Sequence, residues 1–265
     1  MFERNMHYIL ALLKRFPFLR NAVESLFQIE ANIAARWART SHRRLMRVQW
    51  EVQPTPEHFD HRLDLFYQWP STRNHLWVER GVFGGLALKG GRVLELACGD
   101  GFNARHFYSL RSQKVVACDF DPRALSTAKR KNSAPNVEYV LSDVRQGFPQ
   151  GHFENIIFDM AIEHFTPPEI EKLIMEVKVH LTPGGIFSGC SILEQAHGKS
   201  LDHHEYEFTS KDDLKRLFTP HFRNVTVFET VFPGRVNLYF WASDAAIPFS
   251  TEWTSQSVQA APATA

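Results

Sequence analysis

Cysteine is scarce in this chain: Cys98, Cys118 and Cys190 are the three in 265 residues. All fall inside or at the ends of apolar runs. An odd number so placed excludes a disulfide framework and points to a reducing compartment. Long apolar runs are missing too. The longest early one, Tyr8 to Leu13, is too short for a membrane span and lacks a small-residue cleavage pattern, so a soluble, cytoplasmic protein is expected. Nor does one sign of charge dominate. Thirty Lys and Arg stand against 29 Asp and Glu, a net charge of +1, which excludes an overall polyanion binder. With 44% hydrophobic and 22% charged residues the composition is not that of a disordered protein. No internal repeat divides the chain. What remains is one sizeable core, best read as a single large α/β domain with an accessory N-terminal piece.

The first fifty residues stand apart, with nine basic residues against Glu3, Glu24 and Glu30. Leu19, Val23, Leu26, Ile33 and Trp37 fall near helical spacing, which predicts an amphipathic helix between Phe18 and Trp37. Such a helix can pack on its own domain, the favoured reading, or make peripheral contact with an anionic membrane. From Pro54 to Leu88 the chain turns aromatic, with Phe59, Phe66, Tyr67, Trp69, Trp77 and Phe83. Strand-like runs follow at Arg92 to Ala97, Lys114 to Cys118, Val137 to Leu141, Asn155 to Asp159 and Ile186 to Cys190, alternating with helical ones. That alternation predicts a parallel sheet with helices on both faces. Asp121-Pro122, Thr166-Pro167-Pro168-Glu169 and Ser210 with Asp213 signal helix starts. Ile170, Leu173, Ile174, Val177 and Leu181 form one helical stripe, closed by Pro183-Gly184-Gly185. Val225 to Val231 and Val236 to Trp241 are joined too closely for a parallel crossover and must form an antiparallel hairpin. The expected organisation is a basic helical extension over 1–53, a main α/β domain over 54–249 with an aromatic start (54–90), and a disordered tail over 250–265.

The stretch Val93 to Asn103, VLELACGDGFN, carries the most information. It reads as a buried strand, a tight turn at Gly99 and Gly101, and a helix opening near Phe102. Gly99, Gly101 and Ala104 also satisfy a dinucleotide fingerprint, and Asp119 lies twenty residues past Gly99. A nicotinamide oxidoreductase is therefore one reading. Against it stand Glu95 inside the first strand, where a carboxylate suits a cationic ligand group, the long helical sequence before the turn, and the closing antiparallel hairpin.

Taken in order, these residues resemble the class I S-adenosylmethionine-dependent methyltransferases from roughly Trp69 to Ala242. Glu95-Leu96-Ala97-Cys98-Gly99-Asp100-Gly101 looks like the first motif, with Ala97 where the family usually has glycine. Asp119-Phe120-Asp121-Pro122 resembles the acidic end of the second strand, Ser142-Asp143-Val144 the third motif, Phe158 to His164 the fourth, and Leu181-Thr182-Pro183-Gly184-Gly185 the turn before the fifth strand. The resemblance implies a Rossmann-like, seven-stranded, mostly parallel sheet with an antiparallel final strand, and S-adenosylmethionine as cofactor. It implies that Asp119 takes the ribose hydroxyls and Phe120 packs on the adenine. Asp143 and the Val144 amide would read the adenine edge, while Glu95 and the turn from Ala97 to Gly101 hold the methionine part. Arg73 would pair with the methionine carboxylate, and Asp159 would shape the pocket.

Methyl transfer is an in-line displacement, so the protein chiefly aligns groups and excludes water, with a base needed only for a protonated acceptor. His164 is the first candidate for that base, with Glu163 beside it; packing or capping of the next helix explains His164 equally well. Tyr67 is a second catalytic candidate, on the aromatic segment 54–90, which the resemblance implies is a lid over cofactor and acceptor. His203 and His204, in the run His203-His204-Glu205-Tyr206-Glu207, are candidates for the acceptor pocket. Neighbours on one loop have no fixed ligand geometry, so no metal is expected. The function expected is methyl transfer to a small-molecule or glycan-like acceptor, favouring oxygen, with no nucleic-acid partner. The alternatives are a nicotinamide oxidoreductase and a non-catalytic S-adenosylmethionine-binding protein.

Overall fold

The computed structural model describes residues 14, 16–48, 76–194, 198–199, 204–232 and 235–247. The chain divides into two compact units, Met1–Thr55 and Pro56–Ala265. In the first, α1 spans Pro17–Arg47. It runs ten residues past the expected end at Trp37 because neither glycine nor proline interrupts the sequence there. Pro17 suits a first helical position, and Arg44 and Arg47 in the last turn complement the helix dipole. Phe18, Leu26, Ile33 and Trp37 on this helix are exposed.

The second unit opens, among described residues, with α2 (Leu76–Leu86), followed by β1 (Arg92–Leu96), the short α3 (Phe102–His106), β2 (Lys114–Asp119), α4 (Pro122–Lys131) and β3 (Val137–Leu141). Then come β4 (Phe153–Asp159), a 3-10 turn at Ile162–His164, α5 (Pro167–His180), β5 (Leu181–Ile192), α6 (Lys211–Phe218), β6 (Asn224–Phe232) and β7 (Arg235–Ser243). The seven strands lie in the order β3-β2-β1-β4-β5-β7-β6. The first five are parallel, while β7 runs antiparallel to both β5 and β6. The expected mixed sheet is thus present, and its hairpin inserts β7 between β5 and β6. An all-parallel dinucleotide sheet of order 3-2-1-4-5-6 has no such strand.

Side chains alternate across the sheet as the pleat requires. Leu94, Leu96, Val116, Ile156 and Phe158 face a core shared with Ile170, Leu173, Ile174 and Val177 of α5 and with Leu214 and Phe218 of α6. Val93, Val115, Ala117 and Ile157 face the other way, against Ala104, Tyr108 and Leu125. Glu95 shares the second face with Val93.

Three helix starts behave as the sequence signals. Asp121 accepts the Arg123 amide at 2.8 Å, Ser210 accepts the Asp213 amide at 3.1 Å, and Thr166 and Glu169 form a reciprocal capping box. Several strands run past their expected ends: β2 to Asp119, β4 from Phe153, β5 to Ile192, β6 over Asn224–Phe232 and β7 over Arg235–Ser243, and two boundaries differ for a visible reason. Helix α5 ends at His180, and Leu181 begins β5 rather than continuing the stripe, because it pairs with Phe153 across an irregular register before regular pairing starts at Asn155 and Ile186. Strand β1 stops at Leu96, because Ala97 takes a left-handed backbone with φ 52° that no strand continues through.

Candidate cofactor and acceptor site

The parallel strands end together, and their C-terminal edge gathers the chemistry. The turn after β1 is built from Ala97, Gly99 and Gly101, all at positive φ. A Cβ on Gly101 would crowd the Tyr139 hydroxyl, and the positive φ of 73° strains any residue with a side chain there, so the position favours glycine. The turn is also held from outside. Asp119, at the end of β2, accepts the Gly99 amide at 2.8 Å, and Asn132 donates to the Asp100 carbonyl at 2.7 Å. Tyr139 in turn donates to the Asn132 carbonyl at 2.7 Å.

Beneath the turn lies Glu95, 3% exposed, with Oε2 lacking any hydrogen-bond partner. Burial pushes its carboxyl well above the usual range; Asp159, Asp100 and Asp119 push the same way, and Arg80 opposes them. Asp159, at the end of β4, accepts the Tyr108 hydroxyl at 2.7 Å. Its carboxyl is raised by burial, against the lowering effects of Arg80, Tyr108 and Cys190. Among the described residues, the carboxyl groups of Glu95, Asp100, Asp119 and Asp159 thus act together at this edge with Arg80 opposing them, a field that favours a cationic ligand. A buried carboxylate oxygen with no donor is the group that the ammonium of S-adenosylmethionine would satisfy, so the residues present fit that cofactor.

Sequence reasoning missed Arg80, Asn103 and Tyr108. Arg80 is 8% exposed and lies over the Trp77 ring at 4.4 Å. With its amide oriented to serve both neighbours, Asn103 accepts from Arg80 Nε at 2.9 Å and donates to the Trp77 carbonyl at 2.9 Å. The available signal was a lone arginine among the small and apolar residues of LWVERGVFGGL. Arg73, expected to carry the positive charge, lies outside the described residues, as do Tyr67 and His203.

Further along the edge, Phe120 is 51% exposed, an unusual setting for so large a ring. Asp143 accepts the Arg145 amide at 2.9 Å and the Gln146 side chain at 3.3 Å, which fixes its carboxylate at the surface beside half-buried Val144. Glu163 and His164 sit in the 3-10 turn after β4, Glu163 buried and His164 partly so. Glu163 accepts the Ser191 hydroxyl from the end of β5 at 3.0 Å. His164 meets His204 edge to face, with ring centroids 4.8 Å apart. Arg235 and Asn237 both lie on β7. Arg235 donates to the Asn237 Oδ1 at 2.6 Å and lies 3.7 Å from the Met160 Sδ. Asn237 joins Thr230 and Tyr239 in hydrogen bonding to Glu79, which fastens α2 to the hairpin.

A mixed sheet of this order, with a glycine turn after β1 and acidic residues at the ends of β1, β2 and β4, is the fold of class I S-adenosylmethionine-dependent methyltransferases. Residues 93–185 match the family described as a methyltransferase domain. A ribosomal protein L11 methyltransferase of Aliivibrio salmonicida is 26% identical over 133 residues, 50% of this chain and 42% of that protein. An uncharacterized methyltransferase of Synechocystis is 33% identical over 100 residues, 37% of this chain and 46% of the relative. The chain thus spans less than half the length of these two curated relatives. Among solved structures, the complex of DhpI with S-adenosylhomocysteine superposes with a TM-score of 0.52 at 18% identity, covering 70% of this chain and 94% of that one.

Proposed function

We propose that this protein binds S-adenosylmethionine at the C-terminal edge of β1, β2, β3 and β4 and transfers its methyl group to the oxygen of a small-molecule or glycan-like acceptor. The observation that carries the reading is buried Glu95, whose Oε2 has no donor beneath a turn that favours glycine at 101. The cofactor supplies a methyl group already activated on a sulfonium. Glu95 faces the ammonium, and Arg73, with Arg80 as a second guanidinium, pairs with the methionine carboxylate. Asp119 accepts from the ribose hydroxyls through lone pairs its two backbone partners leave over. The exposed Phe120 ring covers one adenine face, while Asp143 and the Val144 amide read its edge.

At the acceptor, an oxygen lone pair forms the new carbon–oxygen bond as the methyl–sulfur bond breaks and its electron pair returns to sulfur. The hydroxyl proton leaves at the group formed by Glu163, His164 and His204. The three cysteines, all free and buried, support a cytoplasmic setting. Among the described residues no helix is long and apolar enough to cross a membrane.

The test is a thermal-shift titration with S-adenosylhomocysteine, run beside NADH, because a ligand of the folded state raises apparent stability. A shift with the first ligand that Asp119→Ala removes supports the reading; a shift with NADH alone overturns it. Relatives named ribosomal protein L11 methyltransferases favour a second reading, a protein acceptor. Radiolabelled methyl recovered in protein rather than in small molecules after incubation with cell extract would select it.

A further inference from the structure

We propose that Glu163, His164 and His204 bind one divalent first-row transition-metal ion, of the Zn²⁺ or Co²⁺ kind, on the acceptor side of the site. The expectation of no metal weighed only neighbours on the His203–Glu207 loop. The fold instead brings His204 from that loop against the 3-10 turn after β4. One ligand atom from each of the three residues lies within 4.8 Å of the others. Donors of a tetrahedral site with 2.0–2.1 Å bonds stand about 3.3 Å apart, so the three groups would draw together by up to about 1.5 Å on binding an ion.

Two further contacts have the form of supports for metal ligands. His204 Nδ1 is hydrogen-bonded to the carboxylate of Glu207, and both side chains are buried. That bond fixes the tautomer and leaves Nε2 as the lone-pair nitrogen, the carboxylate–histidine arrangement that orients imidazole ligands. On the other side Ser191 donates to the Glu163 Oε2 at 3.0 Å, which sets the carboxylate's orientation. The Glu205 and Tyr206 amides both donate to the Glu163 carbonyl, at 2.9 and 3.1 Å, tying the loop that carries His204 to the turn that carries the other two. Two imidazoles and one carboxylate suit zinc and its neighbours rather than magnesium or calcium, which prefer oxygen. Three protein ligands also leave a position open.

This deepens the proposed function and rests on it only for the ion's task. An acceptor hydroxyl in the open position would give its proton to solvent more easily, with the ion stabilising the oxygen that attacks the methyl group. His164 then acts as a ligand and not as the base.

The experiment loads the full chain, stripped with chelator, with Co²⁺, and reads visible ligand-field absorption and stoichiometry. The expected result is one Co²⁺ per chain, displaced by Zn²⁺. His164→Ala and Glu163→Gln should abolish the absorption, and Glu207→Gln, which keeps all three ligands, should weaken binding by about 10–100-fold. His152→Asn, at an exposed histidine elsewhere, should leave it unchanged. If buried His204 cannot be replaced without unfolding, partly exposed His164 still decides the matter. Absence of stoichiometric uptake, or uptake that His164→Ala leaves intact, overturns the proposal. The S-adenosylhomocysteine shift, measured on the same samples, separates this outcome from failure of the methyltransferase reading.

Discussion

The Asp119 carboxylate accepts the Gly99 amide at 2.8 Å through one oxygen and the Asp121 amide at 2.9 Å through the other. The residue assigned to the ribose thus also locks the glycine turn to the end of β2. An amide in its place offers only one accepting oxygen, so Asp119→Asn sets an NH₂ against one of the two backbone donors. A loss of stability of about 1–3 kcal/mol is expected, together with at least tenfold weaker S-adenosylhomocysteine binding. Chemical denaturation and calorimetric titration measure the two. Lowered stability with unchanged affinity would leave Asp119 a purely structural role.

Glu95 gives a pH signature. Its folded-state carboxyl lies above its unfolded value because burial, Asp159, Asp100 and Asp119 disfavour the charge. The folded ligand-free protein therefore holds this proton more tightly, and the stability it contributes is full below the unfolded value and declines as pH rises toward the folded one. Glu95→Gln removes the ionisation. The ligand-free variant should melt above the wild type at neutral pH and lose that part of the decline, while its S-adenosylhomocysteine shift shrinks. Melting curves across pH, with and without ligand, read both effects. A variant that melts lower at neutral pH and keeps the full shift would contradict this account of Glu95.

Much of this was legible because strands and caps are written locally. The apolar run Val137–Leu141 coincides with β3 to the residue, and the four letters Thr166-Pro167-Pro168-Glu169 predict the capping box that forms there. The β6–β7 hairpin followed from a connection too short to cross over. Illegible features depended on tertiary contact. Leu181 looks helical until Phe153 pairs with it. Arg80 is one basic letter until Glu95 and Asp159 are folded beside it. His204 gains its partner His164 only through a loop some forty residues away in sequence.

Phe120 separates binding from folding. Half-exposed at 51%, its ring adds little to the core, so Phe120→Ala should change stability by no more than about 0.5 kcal/mol. Loss of stacking on the adenine is worth roughly 0.5–1.5 kcal/mol, up to about a tenfold weaker S-adenosylhomocysteine complex. Phe120→Leu should recover only part of it. Equal affinity in all three proteins would place the adenine elsewhere.

Ala97 stands where the resembled family has glycine, and its φ of 52° is the conformation glycine adopts most cheaply. A left-handed backbone costs a residue with a Cβ about 1–2 kcal/mol. Glycine avoids that but loses about 0.5–1 kcal/mol more chain entropy on folding. The balance favours Ala97→Gly by up to about 1 kcal/mol, or roughly 2–4 °C in Tm for a domain of this size. Gly101→Ala runs the other way, since φ 73° and the crowding of a Cβ against the Tyr139 hydroxyl oppose a side chain there. It should lower Tm and, by displacing the turn, weaken S-adenosylhomocysteine binding. Calorimetric melts of the two variants, each with and without ligand, measure the pair of effects. If Ala97→Gly lowers Tm, the methyl group at 97 stabilises the turn through packing that outweighs its backbone strain.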